Sequence, residues 1–302
     1  MKTPVAFIIF NRPDTTKRVF EAIRDAKPPK LLVIADGPRA DRPGEAEKCA
    51  AARAIIEGVD WECEVLTNYS DVNLGCGKRV STGIDWVFDQ VEEAIILEDD
   101  CLPDPTFFEF CEVILDKYRD DERIMMVSGT NYLGTWKSTI QSYHFSYYGG
   151  IWGWASWKRA WKHYDYEMKL WADTEVKARS RDVLASEKQY VHRKKIWEQV
   201  SNGMIDTWDY QWGFARLVQS GLSIVPSVNL ISNIGFGNDA THTKSADSAV
   251  ANIKSTEIEF PLKINKFTVV DRDYDRKLFH KLIKNKNIFD RIKSKLLKFG
   301  NK

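Results

Sequence analysis

Ala94-Ile95-Ile96-Leu97-Glu98-Asp99-Asp100 is the stretch that decides the fold: an unbroken apolar run leads straight into three acids. A short continuous apolar run reads as a strand covered on both faces, as in a parallel sheet between helices. In open α/β sheets ligands bind beyond the carboxyl ends of the strands. Three adjacent carboxylates repel one another and need compensation. A hard divalent cation supplies it through oxygen ligands, and Mg²⁺ or Mn²⁺ is commonly held by one or two carboxylates plus substrate phosphates. The bland alternative is a solvated acidic turn. The buried strand before the triplet and Cys101-Leu102-Pro103-Asp104-Pro105 after it argue against that, because they fix the acids at a strand end.

Working outward, Val5–Phe10, Leu31–Ala35 and Glu64–Thr67 read as further strands, recurring with Ala94–Leu97 at intervals of about 30 residues, the size of a βαβ unit. Helical patterns fill the gaps. Asp14–Ala26 follows Pro13, with Asp14 or Thr15 as N-cap and Val19, Phe20 and Ile23 on one face. Glu45–Glu57 stops at Gly58, a C-terminal glycine. Gly77–Gln90 aligns Val80, Ile84, Val87 and Phe88, and Asp104-Pro105 opens a helix with the stripe Phe107, Phe110, Cys111, Ile114 and Leu115. This order predicts a three-layer α/β fold. The second half reads differently. Residues 132–172 are dense in Trp, Tyr and Gly, 174–203 are helical and charged, and 235–250 form a long polar loop.

The 302 residues suit one large domain, and the composition is that of a globular protein. Net charge is +1, but residues 276–302 hold ten Lys/Arg against one acid, leaving 1–275 at −8. An acidic body argues against nucleic acid as a partner. The basic tail, 271–302, carries apolar residues among its lysines and suits contact with an anionic membrane surface, against the alternative of a solvated helix. Five cysteines without paired spacing read as reduced thiols rather than disulfides or a zinc site. No apolar run is long enough for a signal core or a membrane span, so the expected location is cytoplasmic, at most at the inner face of the membrane.

The segment Ile95–Phe110 resembles the GT-A class of glycosyltransferases, most closely the N-acetylglucosaminyltransferase I family and related bacterial sugar transferases. Supporting segments occur in the family's order: Phe10-Asn11-Arg12, Asp36-Gly37, Gly149-Gly150-Ile151-Trp152-Gly153-Trp154, Trp208-Asp209-Tyr210-Gln211-Trp212 and Asn233–His242. The resemblance implies a Rossmann-like fold with a mixed central sheet sandwiched by helices in a single large domain. It implies a nucleotide-sugar-binding half over 1–102 and an acceptor half over 103–270 with the catalytic base and a lid loop. Asp100 would bind Mn²⁺ or Mg²⁺, Asp99 would contact the ribose, and Glu98 would hold hydroxyls of the donor sugar. Asn11 and Arg12 would lie near the nucleotide, Asp36 would recognise the base, and Asp209 would be the catalytic base. Gly235–His242 would order over the donor's phosphates. Lys78-Arg79 stands where the family has a histidine, which suits a nucleotide but weakens a preference for uracil.

The implied reaction is inverting transfer from a nucleotide-sugar, a UDP-sugar such as UDP-N-acetylglucosamine, to a glycan, lipid-linked or polysaccharide acceptor. Arg12, Lys78 and Arg79 would add to the metal in neutralising the diphosphate leaving group. Asp209, between Trp208 and Trp212, gains basicity from apolar neighbours, with a carboxylate bonded to an indole N–H as the alternative and Asp206 as the fallback base. Trp152, Trp154 and Trp157 offer faces for a sugar ring, although large aromatics more often belong to a core; Trp154 is the one assigned to the donor. His242 joins the lid, whereas His144, His163 and His192 read as structural or surface residues. Two rivals remain. A sugar-phosphate nucleotidyltransferase should carry a glycine-rich loop where Phe10-Asn11-Arg12-Pro13 stands, and a catalytically inactive scaffold would have no need of the four acids.

Overall fold

The alternating side chains of the first strand, all buried, set up two cores at once. In the computed structural model, which describes residues 1–235 and 253–282, β1 (Val5–Ile9) sends Val5, Phe7 and Ile9 to one face and Ala6 and Ile8 to the other. Val19, Phe20 and Ile23 of α1 (Pro13–Ala26) cover the first face. Val80, Ile84, Val87 and Phe88 of α3 (Cys76–Gln90) cover the second. Each large apolar side chain so buried contributes about 1.5–3 kcal/mol.

Between them run β2 (Lys30–Ala35), α2 (Glu45–Ala54), a 3₁₀ turn (Ile55–Gly58) and β3 (Glu64–Tyr69), followed after α3 by β4 (Glu93–Glu98). The strands β3, β2, β1 and β4 lie side by side and parallel. The chain first builds outward from β1 to β3 and then returns to β1's other side for β4. That reversal opens a crevice beyond the carboxyl ends of β1 and β4, where ligands bind in such sheets.

The sheet continues without a break into the second half. After β5 (Cys101–Pro103) and α4 (Thr106–Lys117) come β6 (Ile124–Ser128), β7 (Tyr143–Ser146) and β8 (Trp154–Trp157). Then follow α5 (Lys158–Trp161), α6 (Thr174–Val183), α7 (Glu187–Ser201), α8 (Asp209–Val218), β9 (Leu222–Pro226), β10 (Ile231–Asn233) and a helix over 272–282, α9. The eight-stranded order is β3-β2-β1-β4-β8-β6-β9-β7, and β8 is antiparallel to both β4 and β6. The central sheet is therefore mixed and helix-covered, as expected, and one sheet crosses the boundary drawn at residues 102 and 103. No helix among the described residues is long and apolar enough to cross a membrane. All five cysteines are free.

Three local expectations are corrected. Neither Asp14 nor Thr15 caps α1: Arg12 occupies the cap position, and the Thr15 and Thr16 hydroxyls donate back to its carbonyl. Gly58 is not a left-handed stop after α2; the helix tightens into the 3₁₀ turn that contains it. The helix expected from Asp104-Pro105 begins at Thr106, whose N–H donates to the Asp104 carboxylate. His242 and most of the lid loop, and residues 283–302 of the basic tail, lie outside the described residues.

Candidate active site

The acids close β4 at the crevice. Glu98 is the last residue of β4 and pairs with Ile8, while Asp99 and Asp100 make the turn into β5. Asp99 is buried; its Oδ2 accepts from Phe10 N at 3.1 Å. Arg12, carried at the head of α1, reaches across to Asp99 Oδ1 at 2.5 Å and Asp100 Oδ2 at 2.9 Å. Burial alone would lower the arginine's pKa, but Asp99, Asp100 and Glu98 raise it above its ordinary value. The acids are only partly compensated. Burial, then Asp100 and Asp99, hold the Glu98 carboxyl above the usual range against the pull of Arg12. Burial does the same to Asp99.

The opposite wall is the start of α8. Its position follows from packing of tryptophans: Trp154 of β8 stacks on Trp208 at 5.7 Å, and Trp161 and Trp212 complete the group. With Trp208 locked inside, Asp209 is delivered to the cleft as the helix's first residue. Thr207 Oγ1 donates to Asp209 Oδ1, so the carboxylate is held by a hydroxyl rather than by an indole. Asp209 is close enough to add to the negative potential at Glu98. Cys76, at the first turn of α3, lies amid Glu98, Asp206, Asp209 and Asp36; burial and then these charges raise its thiol pKa.

Gly235 stands over the acids. β10 pairs antiparallel with β5, and Ile234 N donates to Asp100 O at 2.8 Å, bringing Gly235 over the acids. A Cβ at Gly235 would overlap Asp100 Oδ2 and stand 2.6 Å from Arg12 Nη1. Only glycine fits this approach.

Several expected site residues have other duties. Trp154 is wholly buried in the core and cannot touch a donor sugar; Trp157 is buried as well. Arg79 is buried too, its guanidinium clasping Ala35 O, Asn68 O and Asn68 Oδ1, so it ties β2 to β3 instead of facing phosphate. Both Asp36 oxygens accept from the loop 73–75, with Leu74 N at 2.9 Å, Asn73 Nδ2 at 3.0 Å and Gly75 N at 3.2 Å, and Gly37 N adds a fourth donor at 2.9 Å. That carboxylate builds the cleft's edge and is not free to read a base. Asp206 accepts from Gly77 N at 3.0 Å, fixing the head of α3, where a Cβ at Gly77 would overlap it. The fallback base is thus a helix anchor. Lys78 is exposed in the first turn of α3.

Asn11 Nδ2 donates to Glu45 Oε1 at 2.9 Å. Glu45 was not singled out by sequence, yet Arg39 binds it through its backbone and guanidinium and holds its carboxyl down at about 2. Cys76 and Tyr132 were also missed. Burial first, then Cys101 and Asp209, raise the Tyr132 phenol. Its ring meets the half-buried Trp152 edge-on at 5.4 Å. No local pattern marks any of these.

Among the described residues, no three His, Cys, Asp or Glu side chains come close enough to cage a cation. The donor set fits instead a hard cation that rests on Asp100 and completes its shell from phosphate and water oxygens, as Mg²⁺ commonly does. The partly compensated Glu98 and Asp99 beside it favour such a charge.

No protein-family model matches the chain, and no curated protein matches it. Among solved structures, a mannosyltransferase from Pyrobaculum calidifontis in complex with GDP-Man and Mn²⁺ aligns over 52% of this chain and 45% of its own, with 16% identity and a TM-score of 0.35. The chain thus spans less than half of that enzyme. The inositol-1-phosphate CTP transferase of T. maritima aligns over 73% and 84%, with 8% identity and a TM-score of 0.38. The 4-diphosphocytidyl-2C-methyl-D-erythritol synthase of Anaerococcus prevotii aligns over 57% and 78%, with 12% identity and a TM-score of 0.34. None of these likenesses reaches a level from which an activity follows.

Proposed function

We propose that the chain is an inverting glycosyltransferase of the GT-A type, moving a sugar from a nucleotide-sugar to a hydroxyl of a glycan, lipid-linked or polysaccharide acceptor. The observation that carries this reading is the facing of Glu98-Asp99-Asp100 and Asp209 across one cleft at the sheet's switch point. Residues 1–102 would bind the donor and 103–270 the acceptor.

A divalent cation, Mn²⁺ or Mg²⁺, on Asp100 would act as a Lewis acid toward the diphosphate leaving group. Arg12 sits within reach of the same charge and can exchange its carboxylate partners for phosphate oxygens. Asp209 would take the acceptor hydroxyl's proton, its orientation set by Thr207. Glu98 would hold donor hydroxyls. By the sequence resemblance, Gly235–His242 would order over the donor's phosphates and so exclude water. UDP as the nucleotide, and N-acetylglucosamine as the sugar, rest on the sequence resemblance to the N-acetylglucosaminyltransferase I family. With Asp36 engaged by its own loop, base recognition falls to other groups.

The test is a thermal-shift panel with UDP, GDP, dTDP, CDP and CMP, each with Mn²⁺ or a chelator, followed by a donor-hydrolysis assay. A ligand that binds only the native state stabilises it by about 2.7 kcal/mol at a hundredfold excess over Kd. One nucleotide diphosphate should raise the melting temperature only with metal, and Asp100→Asn should abolish the shift. Asp209→Asn should keep the shift and lose about 10²–10⁴ in turnover. A shift by nucleoside triphosphate and sugar phosphate instead would favour a nucleotidyltransferase. No shift under any condition would sink the reading.

A further inference from the structure

We infer that the face formed by the turn 137–142 and the strap 260–270 is a docking surface for an anionic lipid bilayer. β7 is an edge strand of the main sheet, and an open edge invites unwanted pairing. The strap covers it. Lys263 N donates to Ser142 Oγ at 2.8 Å, Asn265 Nδ2 donates to Tyr143 O at 2.9 Å, and Val270 forms a parallel bridge with Phe145. Lys263 Nζ reaches Thr139 O at 3.1 Å and binds the turn to the strap.

Leu262 turns into the core, with Phe260 and Val270 packed against it, whereas the strap's other large apolar side chains are left outside. Phe267 is 63% exposed, Val269 70%, Ile264 43% and Ile140 72%. Four such residues on two adjoining segments form a patch, where single exposed apolar residues would call for no explanation. Across 133–142 and 260–270 there are three lysines, Lys137, Lys263 and Lys266, and no Asp or Glu. Lys137 is paired with Asp271 at 2.7 Å; among the described residues Lys263 and Lys266 have no carboxylate partner.

Charge identifies the occupant. Residues 260–302 contain thirteen Lys/Arg against four Asp, a net +9, and residues 1–259 carry −8. Such a sequence polarity favours contact of the C-terminal part with a negative surface, and the described residues 260–282 themselves hold six Lys/Arg against three Asp. Lysines interleaved with Ile, Phe and Val are the composition of membrane-surface contacts, in which ammonium groups meet headgroups and apolar side chains enter the acyl boundary. Protein–protein interface cores are depleted in lysine, which disfavours a second copy or another protein here. The inference goes beyond the proposed transfer reaction and does not depend on it.

The test is cosedimentation of the full chain with phosphatidylcholine vesicles, with and without phosphatidylserine, in the absence of nucleotide. Wild type should bind the anionic vesicles at least tenfold more tightly than the neutral ones. Phe267→Ser/Val269→Ser, with the tail intact, should lose at least tenfold at an unchanged melting temperature. Ile140→Ser provides a second variant outside the strap. The surface is ruled out if wild type ignores anionic vesicles, or if all variants bind as wild type does, which would assign binding to the tail alone. A concentration-dependent dimer in gel filtration that Phe267→Ser dissolves would overturn the lipid in favour of a second copy.

Discussion

Arg12 lies 2.5 Å from Asp99 Oδ1, and the same guanidinium spans to Asp100. The cleft therefore carries its own cation before any ligand arrives. The arginine comes from the loop after β1 and the acids from the turn after β4, so the pair bridges the two parallel strands between which the order of strand addition reverses.

Arg12→Met should destabilise the ligand-free protein. Breaking a buried ion pair costs about 3–5 kcal/mol because the remaining charge stays buried. Arg12 is 22% exposed at its side chain and Asp99 3%, so solvent screens part of this. A loss of about 2–3 kcal/mol is expected, or roughly 5–10 °C in melting temperature for a domain of this size. Mn²⁺ should recover more stability in the variant than in wild type, since it can take the vacated place. Equal Mn²⁺ shifts in the two proteins, read by differential scanning fluorimetry, would count against Arg12 as the internal counter-charge.

Gly235→Ala should separate ligand binding from folding. The added Cβ overlaps Asp100 and crowds Arg12, yet Gly235 lies two residues beyond β10 and outside the apolar cores. The ligand-free melting temperature should fall by less than about 4 °C, the effect of roughly 1 kcal/mol. The Mn²⁺-dependent nucleotide shift should weaken at least tenfold in apparent affinity, measured by titration. An unchanged titration would show that the chain at Gly235 yields without cost.

The first half of the fold was legible because each strand and each helix stripe is written locally. Ala94–Leu97 announces a buried strand, and Phe107, Phe110, Cys111, Ile114 and Leu115 announce a helix face; all of these are buried. Trp154 misled because a tryptophan's surroundings are not local. Its neighbours Trp161, Trp208 and Trp212 come from up to 58 positions away. Asp36 and Arg79 failed for the same reason: their partners at Asn73, Leu74 and Asn68 become neighbours only once β2, β3 and α3 are assembled. The insertion of β8 between β4 and β6 likewise depends on register across the sheet. Glu45 left a faint trace, an acid near Arg39 at the head of an alanine-rich helix, but nothing in that spacing points to Asn11.

The buried pair His144 and Asp275 should give opposite pH dependences that partly cancel. Burial lowers His144 to about 4, with neither ring nitrogen hydrogen-bonded to any described residue and the Tyr274 ring centred 4.1 Å away. Burial raises Asp275 to about 6, although Ser146 Oγ and Tyr147 N donate to it. For the histidine, the unfolded chain binds the extra proton between about pH 4 and 6.5, so stability rises with pH across that window. For the aspartate, the folded chain binds it between about pH 4 and 6, so stability falls with rising pH. Each contributes about 1.4 kcal/mol per pH unit, about 3 kcal/mol over the window, with opposite sign. Relative to wild type, Asp275→Asn should therefore gain stability as pH rises from about 4 to 6 and then hold level. His144→Gln should lose stability relative to wild type over the same range, and the double variant should track wild type. Melting temperatures taken at half-unit steps would check this. Parallel curves for all four proteins would mean that neither group titrates differently in the folded and unfolded chains.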